Sequence, residues 1–180
     1  AYINRHLNDI ETSASEAMQR VRQNLDNLHD ESFGIVEVSP CLLRAVEKAQ
    51  LPETIRVRYS GLEPSVSIRG SERALELIFL NLIDNARQAM ENRGSLEFRL
   101  AHSQNRIEIV VRDSGPVVAP QKKETIFQFG DPAGRKPANL GFGLWWVKTQ
   151  LTRMGGSIAL LDEGKGAAFL IRIPLAEGNL

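Results

Sequence analysis

Residues 71–91 read SERALELIFLNLIDNARQAME, the strongest helical pattern in the chain. Ser71 is a preferred N-cap, and Gly94 stands just beyond the last periodic position. At about 100° per residue, Leu75, Ile78, Phe79, Leu82, Ile83, Ala86 and Ala89 form one apolar arc. Asn81, Asn85 and Gln88 border that arc at i, i+4 and i+7, so three amides share one row. A polar edge facing water accounts for such a row as well as a ligand site does. The functional reading is a row that grips a hydrated cation. Amide carbonyl oxygens are hard donors suited to Mg²⁺, which keeps several waters and uses few protein ligands.

Strands and helices alternate on both sides of this helix. Upstream, a strand is expected at 35–38, a helix from Ser39-Pro40 with Ser39 as N-cap, and strands at 55–59 and 66–68. Downstream come strands at 95–101 and 106–112, joined at Ser103-Gln104-Asn105-Arg106. Residues 113–140 lack periodicity, and a loop of that length in a compact domain is usually functional. A helix at 141–154 ends at Gly155-Gly156, and strands close the chain at 157–161 and 167–173. The expected class is α+β, a sandwich of one mixed sheet with helices on one face, over residues 33–176.

Residues 2–29 read as one long helix with apolar positions at Ile3, Leu7, Ile10, Ala14, Ala17, Val21 and Leu28. Spacings of 3 and 4, with Asn24 in the polar slot, make a heptad seam. The helix packs on its own domain or forms half of a helical hairpin or dimeric bundle; the strict period favours the bundle.

The chain has 180 residues, with 22 Lys+Arg against 22 Asp+Glu. That balance argues against a duplex nucleic-acid or anionic-membrane binder, which needs a basic excess. A hydrophobic share of 42% supplies a core. The single Cys41 excludes an intrachain disulfide and a cysteine-rich zinc site, and fits a cytoplasmic setting. No apolar run reaches membrane-spanning length, and no signal peptide is visible. The chain begins with Ala1, as a fragment of something longer would.

Two further elements carry chemistry. Val110-Val111-Arg112-Asp113-Ser114-Gly115 is an apolar strand ending in a carboxylate, then a turn. Asp113 could accept a hydrogen bond from an exocyclic amine, and Gly115 would let the backbone approach a ring. By itself Asp-x-Gly mostly marks a turn. Gly141-Phe142-Gly143-Leu144 opens a helix, where free N–H groups and the dipole attract phosphate. No P-loop follows.

Taken in order, these stretches resemble sensor histidine kinases. Asn81 to Met90 resembles the N-box, Asp113-Ser114-Gly115-Pro116 the G1 box, Ile126-Phe127-Gln128-Phe129 the F-box, and Gly141 to Val147 the G2 box. Gly155-Gly156-Ser157-Ile158 is similar to the usual helix end. The wider superfamily, with its Bergerat-type sandwich, includes the ATPase domains of gyrase, Hsp90 and MutL.

The resemblance implies roles. Asn85 would hold Mg²⁺ against the phosphates of ATP. Asn81 stands where the superfamily's ATPases place a Glu general base, and an amide cannot take a proton from water. Asp113 would bond the adenine amino group, with Gly115 close to the base. Gln88 would complete the amide row. Residues 114–140 would be the ATP lid, with Lys136 reaching a phosphate; Gly141, Phe142, Gly143 and Leu144 would line the phosphate end. Arg87 lies nearly opposite the row, toward solvent. Residues 1–30 resemble the second helix of the dimerisation and phosphotransfer hairpin. The first helix, with its acceptor histidine, is absent, and none of His6, His29 and His102 sits in the acceptor context.

The implied activity is transfer of the ATP γ-phosphoryl to a histidine on that missing helix, so this chain would not phosphorylate itself. The implied partners are a response-regulator receiver domain and, in the full-length protein, a second copy in a homodimer; nucleic acid is not among them. Membrane tethering of the parent protein is left open. Val117 departs from the pattern, standing where the G1 box has a second Gly, and Gln88 replaces a common Lys. If position 117 needs a positive φ, Val is strained there. Otherwise the loop takes another path or has drifted harmlessly. Two rival readings follow: a degenerate pocket kept as a dimerising or signalling scaffold, and a superfamily ATPase or Ser/Thr anti-sigma-type kinase. The lack of Glu at 81 and the heptad helix argue against the second.

Overall fold

The computed structural model describes residues 33–103, 105–123, 125–128, 142–162, 164 and 166–176. The expected helix at 2–29, Lys136, Gly141 and most of the expected lid lie outside them, as does the side chain of Phe142.

The elements run β1 (Gly34–Glu37), α1 (Val38–Lys48), β2 (Ile55–Ser60), β3 (Ser67–Gly70), α2 (Glu72–Ala89), β4 (Gly94–His102), β5 (Arg106–Asp113), α3 (Phe142–Arg153), β6 (Ser157–Leu161) and β7 (Ala168–Pro174). A 3₁₀ turn at Pro120–Lys122 precedes the buried Ile126. Five strands form the main sheet in the order β2-β4-β5-β7-β6. Only β2 with β4 is parallel, because α2 intervenes between them in the chain.

Two expectations are corrected. The sheet is not single: β1 and β3 pair with each other in a separate two-stranded sheet. That small sheet is stitched to the end of β7 by Ala176 N–H donating to Ser67 O at 2.8 Å and by a bridge from Ile68 to Leu175. Ser39 is not the cap of α1. The cap position is Glu37, and the Ser39 hydroxyl donates to Leu62 O at 2.7 Å. Ser39 is buried, so satisfying a distant carbonyl outweighs satisfying the helix end.

α2 is held where expected. Ser71 Oγ accepts from Ala74 N at 3.3 Å, and Leu75, Ile78, Phe79, Leu82, Ile83 and Ala86 are buried. They pack on the inward residues of the sheet, among them Leu96, Phe98, Ile109, Val111 and Ile171. α1 and α2 are also clamped by ion pairs from Arg44 and Lys48 to Glu76, and from Arg44 to Glu72. The other sheet face carries no helix among the described residues. By strand alternation it presents Arg56 and Arg58 on β2, Arg99 on β4, Arg106 and Arg112 on β5, and Arg172 on β7. Only Glu97 and Glu108 oppose them there. The chain's zero balance therefore hides a basic sheet face.

Candidate functional site

The site begins at the end of β5. Asp113 lies opposite Leu96 in the ladder, so its side chain falls on the helix side of the sheet. It is buried, and its Oδ1 accepts from Gly115 N at 2.8 Å and Ala167 N at 3.3 Å. Burial pushes the carboxyl above its ordinary range, while the two N–H groups pull it back. One oxygen is thus engaged in fixing the side chain's direction, and the other is available to a ligand donor.

Gly115 belongs to the same device. A methyl there would lie 2.9 Å from Asp113 Oδ1 and 3.2 Å from the Ala89 carbonyl. The turn after β5 therefore packs directly on the C-terminal end of α2. Gly166 is the residue the sequence reading missed. Its φ is +69°, and an added methyl would lie 2.8 Å from the Asp113 carbonyl carbon. The two glycines in the stretch 163–166 were the available signal, but they read only as a turn.

α2 supplies the amides. Asn81 donates through Nδ2 to Leu77 O at 2.8 Å, which turns Oδ1 outward from the helix. A methyl on Gly143 would lie 3.0 Å from that Oδ1, so Asn81 faces the first turn of α3. Asn85 is half-buried, and its Nδ2 is buried with no hydrogen-bond partner among the described residues. The two ends of an amide are assigned rather than seen, so either can be turned to the ligand. Leu144 is half-buried, against the core.

Gln88 is exposed and donates to Asp84 Oδ2 at 2.7 Å, one helical turn back. Arg87 is tied to Asp84 at 2.6 Å and to Asn92 Oδ1 at 3.3 Å. Val117 is not among the described non-glycine residues with positive φ. It carries no left-handed strain, and it is 57% exposed.

The F-box segment is anchored. Phe127 meets Phe169 edge-on at 6.2 Å, Lys148 Nζ lies 6.0 Å from the Phe127 ring centre, and Lys123 pairs with Asp162 at 2.8 Å. A cavity of about 530 Å³ also opens beside this site, but on the opposite, arginine-bearing face of the sheet. It shares Asp113 and the residues after it with the site, and none of the amides.

A profile of the family described as histidine kinase-, DNA gyrase B- and HSP90-like ATPases matches residues 70–177. The adaptive-response sensory kinase SasA of Parasynechococcus marenigrum is 24% identical over 98% of this chain and 48% of its own length. The two-component sensor PprA of Pseudomonas aeruginosa is 34% identical over 61% of this chain and 13% of its own. The mycobacterial sensor histidine kinase MprB superposes with a TM-score of 0.70 at 23% identity, covering 79% of this chain and 97% of that one. Full-length ShkA, solved with AMPPNP, gives 0.70 at 27% identity, over 83% of this chain and 32% of its own. The chain spans about half the length, or less, of the curated relatives it matches. No helix among the described residues is long and apolar enough to cross a membrane. Since the profile takes in α2, the Asp113 turn and α3 together, the chain belongs to the histidine kinase-, DNA gyrase B- and HSP90-like ATPase family, as an ATP-binding catalytic domain of the histidine-kinase type.

Proposed function

We propose that this chain binds Mg²⁺–ATP between α2, the Asp113 turn and α3, as the catalytic portion of a two-component sensor histidine kinase. The observation that carries the reading is Asp113: a buried carboxylate with one oxygen held by Gly115 and Ala167 and the other open to a donor. An adenine amino group meets that requirement. Asn85 fits a metal ligand, as a half-buried amide whose nitrogen has no partner among the described residues and can be turned so that the oxygen takes its place. Among those residues no group of three or more His, Cys, Asp and Glu could hold a metal. Phosphates and water would then complete the shell, as Mg²⁺ prefers. Bound there, Mg²⁺ would neutralise phosphate charge.

The residues of this chain position and stabilise rather than react. The bond formed would join an acceptor imidazole nitrogen to the γ-phosphorus; the bond broken would be the one to the β-phosphate oxygen, with ADP leaving. Asn81 facing Gly143 supplies an amide where hydrolysis would need a base, which protects ATP from water. Gly143 and Leu144 lie at the phosphate end; Lys136, Gly141 and Phe142 would join them there. Residues 1–30 would form the second hairpin helix, a reading supported by the SasA alignment reaching 98% of the chain. The histidine substrate, the receiver domain and the homodimer belong to the parent protein. Val117 has no positive φ, so backbone strain at that position does not argue for a degenerate-pocket scaffold.

Calorimetric titration of the whole chain with Mg²⁺–AMPPNP tests the reading. Micromolar to sub-millimolar binding is expected, weakened at least tenfold by Asp113→Ala and, in Mg²⁺ only, by Asn85→Ala. No binding at several millimolar nucleotide refutes it. Acid-labile label on this chain alone, after incubation with γ-labelled ATP, refutes the claim that the acceptor lies elsewhere.

A further inference from the structure

We propose that the outer face of the main sheet, which carries no helix among the described residues, rests on an anionic lipid surface. Headgroup phosphates would meet its arginines while the helix side points away. The outward positions of β2, β4, β5 and β7 hold Arg56, Arg58, Arg99, Arg106, Arg112 and Arg172, with two carboxylates, Glu97 and Glu108. From β2 to β7 this field crosses three strand spacings, about 14 Å. From Arg106 to Arg112 it runs about 20 Å along β5.

The positive surplus survives the ion pairs within the face. Glu97 accepts from Arg99 at 3.0 and 3.1 Å. Glu108 accepts from Arg172 at 2.7 Å and lies 3.7 Å from Arg106. With Arg112 set aside because it has a partner, five arginines still meet two carboxylates. Both carboxyls are held below their usual range, first by the hydrogen bonds from Arg99 and Arg172. Acids that balance the chain's total lie on the helix layer, where Glu72, Glu76 and Asp84 are tied to bases. That layer stands about 10 Å behind the sheet, a Debye length at about 0.1 M salt, so a surface on the outer face barely feels it.

The make-up of the face favours a phosphate-bearing plane. Every cation on it is an arginine, whose fork matches phosphate oxygens two at a time. A protein partner needs an apolar anchor at the centre. The outward apolar residues there are the small Ala101 and Ala159, the buried Ala168 and Leu170, and the half-buried Val110 and Leu161. A duplex is read by an element that enters a groove, whereas these arginines spread over four strands. Contact of this kind orients a domain rather than anchoring it, with about fivefold in affinity for each surplus arginine. The inference does not depend on nucleotide binding, which concerns the other side of the sheet.

The test is flotation of the whole chain with vesicles of phosphatidylcholine containing about 40% phosphatidylglycerol, against pure phosphatidylcholine, at about 50 and about 500 mM salt. At low salt, half-binding is expected at roughly 1–10 mM anionic lipid. Binding should vanish at high salt and with neutral vesicles. The double variant Arg56→Gln, Arg106→Gln should bind at least tenfold more weakly. Arg73→Gln, at the start of α2 on the helix side, should bind as the parent chain does. A thermal unfolding midpoint confirms that both variants are folded. Three results would overturn the proposal: no binding at about 20 mM anionic lipid, equal binding to neutral vesicles, or binding undiminished in the double variant. Binding to a DNA duplex without binding to vesicles would also overturn it, and would give the face to nucleic acid instead.

Discussion

Gly164 and Gly166 offer a controlled pair, because they share a backbone conformation and differ in their surroundings. Their φ values are +73° and +69°. An alanine at either pays a left-handed penalty of about 1 kcal/mol. At Gly164 nothing among the described residues lies within 4 Å of the added methyl, so Gly164→Ala should cost only that. At Gly166 the methyl would lie 2.8 Å from the Asp113 carbonyl carbon, and backbone must move. Two hydrogen bonds then separate: Asp113 N to Ala167 O at 3.0 Å, and Ala167 N to Asp113 Oδ1 at 3.3 Å. The first is worth about 1 kcal/mol and the second, made to a buried carboxylate, about 1.5–3. Gly166→Ala should therefore cost about 3.5–5 kcal/mol. Urea unfolding reads this as a lower midpoint with an unchanged slope. If the two variants fall within about 1 kcal/mol of each other, the close approach does not position Asp113 and the reasoning fails. Nucleotide affinity should follow the same split, dropping for Gly166→Ala alone.

Other expectations follow from the same geometry. Burial raises the Asp113 pKa, so its contribution to stability is present at low pH and lost as pH rises through the folded value. Asp113→Asn should therefore compare best with the parent chain at pH 7 and lose ground toward about pH 4; urea midpoints that differ by the same amount at both pH values would contradict this. Phe127→Ala removes a half-buried ring packed on Phe169 and should cost about 2 kcal/mol, less than a fully buried phenylalanine; thermal denaturation measures it, and a loss below about 0.5 kcal/mol would mean that the F-box is not anchored. Cys41 is 1% exposed and burial pushes its thiol up to about 11. Labelling by a thiol reagent at pH 8 should proceed only as fast as the domain opens; a rate near that of a free thiol would show the α1 packing to be wrong.

The amphipathic arc of α2 was legible because its period, cap and stop agree, and every arc residue except Ala89 is buried. The strand end at Asp113 was legible as an apolar run closing on a carboxylate. What fixes that carboxylate was not: Ala167 reaches it across 54 positions of sequence. Ser39 shows the same limit, since its hydroxyl serves Leu62, 23 residues on, instead of its own helix. The split into two sheets depends on which strands pair, and the pattern of β1 and β3 alone does not choose. The arginine face was equally hidden. Alternation within β4 and β5 is visible, but the row Arg58–Glu97–Arg112 exists only once register is set.

The pairing of β5 with β7 has an evolutionary consequence. The chain leaves β5 at Asp113 and comes back beside it at the start of β7, after the edge strand β6, and Asp113 and Ala167 are bonded to each other. Everything between them is an excursion whose ends the sheet has already joined. Lengthening residues 129–141 adds closure entropy only slowly, about 0.6 kcal/mol per doubling. Ile126 and Phe127 hold the near side, and α3 the far side, of whatever is inserted. This architecture lets residues 129–141 vary in length and composition while the strand register stays fixed. It is also where a reporter or an extra module could be spliced in with the least cost to the core.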